Sequence, residues 1–293
     1  MSAASPLAGA PFLKMNGAGN QILVMDLRGR DHVITADEAR AIAGLPRSGF
    51  DQLMALHDSA GGADAFMRIY NNDGSESGAC GNGTRCVAWA LGRDGGPDRV
   101  TLETSAGPIV AERAGEFSFT VDMGPPRFDW REIPLAHAID DDDGVDVTLP
   151  GWTPPGTASA LGMGNPHLVC FVPDQQAYDL ATHGPALERH PLFPQRTNVS
   201  FAQVLDRGHI LLRVWERGAG PTLACGTAAC ATAVAAIRRG LAGRRVTVDL
   251  PGGRLGVEWR ESDGHVLMTG PVELEWEDRL PADFMAAAPA DAG

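Results

Sequence analysis

Apolar positions in this chain fall mostly into short β-rich runs bounded by Gly, Pro and Asp. They predict strands at residues 22–26, 65–70, 100–103 and 117–122 in the first half. In the second half the same pattern predicts strands at 167–172, 210–215, 246–249 and 266–269. Two apolar segments are long enough for helices, 83–91 and 227–239, and each is followed by glycine, Gly92 and Gly240. A Gly just past the last apolar turn is a C-cap signal, and Arg238 and Arg239 suit the negative end of a helix dipole. A further helix is predicted over Ala36–Ala43, with Thr35 or Asp37 near its start.

The pattern occurs twice. Ala79, Cys80 and Gly81 recur 145 residues later as Ala224, Cys225 and Gly226. At the same offset Gly17, Gly19 and Asn20 meet Gly162, Gly164 and Asn165, and Ile69-Tyr70-Asn71 meets Val214-Trp215-Glu216. Further on the offset is 146: residues 99–107 align with 245–253, and Met123-Gly124-Pro125 with Thr269-Gly270-Pro271. Matching blocks in one order at one offset indicate duplication of a whole domain, not a short-period solenoid. The expected domains are residues 12–130, carrying Cys80, and 131–271, carrying Cys225. Residues 1–11 and 285–293 read as flexible tails.

Composition narrows the function. Of 293 residues, 44% are hydrophobic and 21% charged, which is ordinary globular usage and excludes disorder of the whole chain. A formal net charge of −13 argues against nucleic-acid or anionic-membrane binding, which rest on phosphate neutralisation. No run of apolar residues is long enough for a membrane span, and residues 1–11 lack the charged start and apolar core of a signal peptide. The five cysteines make an odd count with no disulfide framework, so free thiols in a reducing, cytoplasmic compartment are expected. The linker at 130–156 carries Asp140–Asp143 and Asp146; it lacks the ligand spacing of a calcium loop and reads as a solvated acidic loop.

The duplication places Cys80 and Cys225 directly before the two predicted helices. A helix start presents unpaired N–H groups and positive dipole, which favour thiolate and bind anions. Gly81 and Gly226 let a ligand approach the backbone. If the halves pack face to face, one thiolate could remove a proton from a carbon while the other thiol delivers one to the opposite side. That is racemisation or epimerisation without a cofactor. Cys86 and Cys230 fall inside apolar helix faces and Cys170 inside an apolar strand, so these three read as buried packing residues. Asn20, Asn165, Asn71 and Glu216 occupy matched positions, the last two nine residues before the cysteines. Arg217 could grip a second carboxylate in bidentate fashion.

The chain resembles diaminopimelate epimerase. The resemblance rests on residues 12–20, 49–53, 71–76, 79–86 and 163–167, on Asn198, and on 216–220 with 224–227, and so spans nearly the whole sequence. It implies an α/β (α+β) fold of two pseudo-symmetric domains, each a curled sheet around a central helix. The active site would lie in the cleft between them, and a last strand near 272–284 would return to the first domain. It implies interconversion of L,L- and meso-2,6-diaminopimelate, a small diamino dicarboxylate, in lysine and peptidoglycan synthesis, with no pyridoxal phosphate and no metal. By this resemblance Cys80 and Cys225 are the acid/base pair, and the backbone at Gly81-Asn82 and Gly226-Thr227 holds the reacting carboxylate. Asn20, Gln52, Asn71, Asn165, Asn198, Glu216 and Arg217 hold the amino groups and the distal carboxylate, and His167 and Glu216 tune the thiols. Gln21 and Pro221 depart from the family's common Asp and Glu. A homodimer is compatible with the sequence, which does not fix the oligomeric state.

Other readings stay open at this point. A proline or hydroxyproline racemase would share the fold and the cysteine pair, but a ring substrate with one carboxylate has no need of Arg217 plus four Asn. A thiol switch would join Cys80 to Cys225 reversibly. A zinc protein would need ligands from scattered His, since Cys-x-x-Cys spacing is absent.

Overall fold

The computed structural model describes residues 5–139, 144–149, 151–154 and 158–287. The acidic run Asp140–Asp143 lies outside the described residues. The chain divides into two units: residues 1–121 with 270–293, and residues 122–269. The first division therefore precedes Asp122 and not residue 131. The Met123 N–H donates to the Val266 carbonyl (2.9 Å), and Arg127 exchanges backbone hydrogen bonds with Gly162 (2.8 and 2.9 Å), so residues 122–130 are tied to the second unit.

The first unit contains β1 (Pro11–Gly17), β2 (Asn20–Asp26), α1 (Ala36–Ala43), β3 (Gln52–His57), β4 (Ala65–Asn71), β5 (Glu76–Ser77), α2 (Gly81–Gly92), β6 (Arg99–Thr104), β7 (Gly107–Gly115) and β8 (Ser118–Asp122). The second contains β9 (Ser159–Gly162), β10 (Pro166–Phe171), α3 (Leu180–Glu188), β11 (Asn198–Asp206), β12 (His209–Glu216), β13 (Gly220–Thr222), α4 (Gly226–Arg238), β14 (Arg245–Leu250), β15 (Gly253–Trp259) and β16 (Val266–Pro271). The chain then adds β17 (Glu273–Arg279) and the short helix α5 (Phe284–Ala287) to the first unit.

The duplication is visible in the strand pairing. In the first unit β1 runs antiparallel to β2, β2 parallel to β3, β3 antiparallel to β4, β4 parallel to β6, and β6 antiparallel to β7. The second repeats this order with β9, β10, β11, β12, β14 and β15. Each parallel step needs a crossover, and helices supply it: α1 and α3 for the first step, α2 and α4 for the second. Helix α2 packs against β1, β2, β3, β6 and β7; α4 packs against β9, β10, β11, β12, β14 and β15. Each sheet thus curls around its own central helix. The first unit also pairs β17 antiparallel to β1, from Pro11 with Arg279 to Asn16 with Glu273.

Local chemistry accounts for the helix ends. Thr35 caps α1 in a capping box with Glu38. Gly240, at φ +69°, ends α4 in the left-handed conformation. Helix α2 runs through Gly92 in ordinary helical conformation, and the left-handed residues come later, at Asp94 (φ +56°) and Gly95 (φ +85°).

The expected N-terminal tail is not free over residues 5–11. Leu7 is fully buried in a core with Phe12, Leu23, Met25, Ile42, Phe50, Leu53, Tyr70, Leu280 and Phe284. Gly9 donates to the Leu280 carbonyl and Leu280 to the Ala10 carbonyl, both at 2.9 Å, and the Ser5 hydroxyl donates to Glu38 at 2.6 Å. Isolated apolar residues among Ala and Pro carry no periodic signal, which is why the sequence reads as a tail there. Likewise residues 285–287 belong to α5, which begins at the buried Phe284.

Candidate active site

In the first unit Cys80 is the N-cap of α2, in extended conformation (φ −150°), and its Sγ accepts the Gly83 N–H at 3.2 Å. The first turn, Gly81-Asn82-Gly83, carries no acidic side chain to occupy its N–H groups. Gly83 lets the helix sit on β3, for a Cβ there would stand 2.7 Å from the Met54 sulfur. Gly17 brings the β1–β2 turn onto the same helix start: its Cβ would lie 3.1 Å from the Asn82 carbonyl oxygen. That turn uses left-handed backbone at Ala18 (φ +59°) and Gly19 (φ +93°), and Gly19 N–H donates to the Asn16 side chain at 2.7 Å. Asn20 follows, with a buried Oδ1 that has no hydrogen-bond partner.

Gln52 and Asn71 stand opposite each other on β3 and β4, and the Gln52 amide donates to Asn71 Oδ1 at 3.2 Å. Asn71 in turn donates to Ser75 Oγ at 3.0 Å. Gln21, one of the two departures, donates through its side chain to Glu275 on β17 at 3.2 Å, a contact within the sheet.

In the second unit Cys225 is the N-cap of α4 and is buried. Its Sγ lies 3.5 Å from Thr227 Oγ1, which lies 3.4 Å from Asn165 Nδ2, and Asn165 Oδ1 lies 2.8 Å from His167 Nε2. Four expected residues therefore form one chain of contacts. Burial, and then the negative charge of Glu216, push the Cys225 thiol well above its ordinary range, so it is held protonated. The Thr222 hydroxyl fixes the Glu216 carboxylate at 2.6 Å. His167 is fully buried, and burial followed by the positive charge of Arg217 lowers its pKa to about 3, so the ring is neutral. Cys86 and Cys170 are pushed up to about 12 by burial, as suits packing residues; Cys230 is likewise buried.

Asn198 and Arg217 meet through the backbone. Asn198 Oδ1 accepts the Arg217 N–H at 3.0 Å, while Asn198 Nδ2 donates to the Pro166 carbonyl at 3.0 Å. The Arg217 side chain is exposed; its Nη1 donates to the Gln195 carbonyl at 3.2 Å. Pro221, the second departure, pairs with Trp215 across the β12–β13 hairpin.

Arg85 and Glu188 are buried charges to which the sequence reading gave no role. Arg85, on α2, has no exposed surface and donates from Nη2 to Asn82 Oδ1 at 3.0 Å. Glu188 ends α3 and is 3% exposed. Arg85 lies within a motif block and could have been suspected; Glu188 lies in no repeated block. Among the described residues no three His, Cys, Asp or Glu side chains are grouped so as to hold a metal, and no helix is long and apolar enough to cross a membrane.

Residues 12–129 and 159–275 match the profile of a family described as Diaminopimelate epimerase. A diaminopimelate epimerase from Methylobacterium sp. (strain 4-46) is 56% identical, over 97% of this chain and 99% of that one. One from Methylocella silvestris is 53% identical, again over 97% and 99%. Among solved structures, a phenazine biosynthesis protein of the PhzF family from Enterococcus faecalis is 16% identical with a TM-score of 0.64, over 92% of this chain and 98% of that one. A hydroxyproline epimerase from Agrobacterium vitis, with bound trans-4-hydroxy-L-proline, is 16% identical with a TM-score of 0.62, over 92% and 91%. At such identity these two share the fold.

Proposed function

The chain belongs to the diaminopimelate epimerase family and is an amino-acid epimerase, and from that premise we propose that it interconverts L,L- and meso-2,6-diaminopimelate with Cys80 and Cys225 as its two bases. In one direction a thiolate takes the α-proton, the electron pair passes into the α-carboxylate as an enediolate-like state, and the opposing thiol returns a proton to the other side of the carbon. The enzyme ends with the two protonation states exchanged, and the reverse reaction starts from there. The observation that carries the proposal is the matched placement of Cys80 and Cys225 as N-caps of α2 and α4. Each helix start supplies N–H donors where the carboxylate gains charge.

Cys225 suits the proton donor of the starting state, since its surroundings hold it as a thiol. Asn20, with its unpartnered buried amide oxygen, suits an ammonium group of the substrate. Gln52, Asn71, Asn165 and Asn198 would complete the polar lining, and Arg217 would hold the distal carboxylate. The reaction would serve lysine and peptidoglycan synthesis in the cytoplasm, needing no added cofactor.

Proton NMR of L,L-diaminopimelate with reduced protein in D₂O, no cofactor added, tests this. Loss of the α-proton signal with appearance of the meso form is expected. No exchange by folded protein with its thiols reduced would reject the substrate, and proline and hydroxyproline would be tried next.

A further inference from the structure

We propose that Glu188 is a positioning residue for the Arg217 turn, and that it sets affinity for the substrate's distal carboxylate by clamping that turn to α3. The inference deepens the function proposed above and rests on its reading of Arg217. Glu188 is a buried carboxylate with donors on both oxygens. Oε2 accepts the Trp215 indole N–H at 2.7 Å; Oε1 accepts the Gly218 N–H at 3.2 Å and Arg196 Nη1 at 3.2 Å. Its own carbonyl accepts the Thr197 N–H at 3.1 Å. Trp215 and Gly218 are the residues that bracket Glu216 and Arg217, so one side chain holds both ends of the segment that carries them.

The surroundings leave this clamp little freedom. One turn earlier on α3, Gly184 lies so close to the Trp215 ring that a Cβ there would stand 2.4 Å from it, and helix and indole are in direct contact. Gly218 is left-handed (φ +80°), and Asn198 Oδ1 fixes the Arg217 N–H from the other side. A charge buried this deeply remains stable only with its donors in place, and losing it would strand two N–H groups. Charge-assisted bonds to a carboxylate are also the stronger kind, which suits fixing a turn whose side chain must meet a ligand.

Glu188→Gln tests the clamp. Gln keeps the shape but turns one acceptor oxygen into an N–H₂ group that faces a donor. The KM for diaminopimelate should rise about tenfold with kcat held within about twofold, the signature of lost binding and not lost chemistry. Hydrogen exchange of the Gly218 amide should quicken by about tenfold or more. A folded Glu188→Gln protein with unchanged KM and unchanged Gly218 exchange would overturn the proposal, as would a loss confined to kcat. Should that variant fail to fold, Arg196→Gln removes only the half-exposed donor; a smaller rise in KM supports the clamp, and an unchanged KM rejects it. Arg217→Ala and wild type run alongside. If wild type does not turn over diaminopimelate, or Arg217→Ala keeps the wild-type KM, the reading of Arg217 fails, and Gly218 exchange alone decides the clamp.

Discussion

Glu216 and Cys225, nine residues apart in sequence, interact in the fold: the Glu216 charge adds to burial in holding the Cys225 thiol protonated. Glu216→Gln removes the charge and keeps an oxygen for the Thr222 hydroxyl. Alkylation of Cys225 should then be faster at a given pH, and its titration should move to lower pH. Burial persists, so the thiol should stay above its ordinary range. Mass-spectrometric alkylation rates across pH check this; identical curves for variant and wild type would remove Glu216 from any tuning role.

Cys80→Ser and Cys225→Ser should each lower epimerisation by about 10²–10⁴-fold, the ordinary weight of a positioned acid or base. Circular dichroism should stay unchanged, since serine is close to cysteine in size and is itself a favoured residue at the N-cap position that both cysteines hold. A Cys80→Ser protein with wild-type turnover would refute the two-base assignment.

His167 sets a pH limit on stability. Its folded pKa is depressed to about 3, below the unfolded value of about 6.5. The unfolded chain therefore binds a proton that the folded protein refuses, and stability falls as pH drops below that unfolded value. Between pH 7 and 5 this group alone should cost about 2 kcal/mol of unfolding free energy. Urea unfolding at both pH values, compared with His167→Gln, measures it; equal losses in the two proteins would show that His167 is not the group responsible.

Leu7→Ala should destabilise the first unit by about 2–5 kcal/mol, the usual result of emptying a fully buried leucine site. A urea midpoint equal to wild type would mean that the N-terminal segment does not hold the core.

What the sequence makes legible follows from period and punctuation. The duplication, the central helices and strands β2, β4, β6, β8, β10, β12, β14 and β16 carry clear signals. β3 and β11 do not: β3 and the first five residues of β11 lie beside parallel partners and are largely buried, so their apolar runs lose the two-residue alternation. α3 escapes because Gly184 and Pro185 lie inside it and read as breakers. At the site, the cysteines and their Asn partners are legible because they are paired through the repeat. Glu188 is a single acidic residue whose importance comes from burial against Trp215 and Gly218, which only the folded chain reveals.

The pairing of β1 with β17 also bears on how the molecule is made. The ribosome completes β1 through β7 early, yet one edge of β1 has no partner until residues 273–279 emerge. Throughout synthesis of the second unit that edge offers unpaired backbone groups to any neighbouring strand. A nascent chain stalled short of Glu273 would therefore hold a nearly complete but sticky first unit, and addition of β17 is the step that seals it.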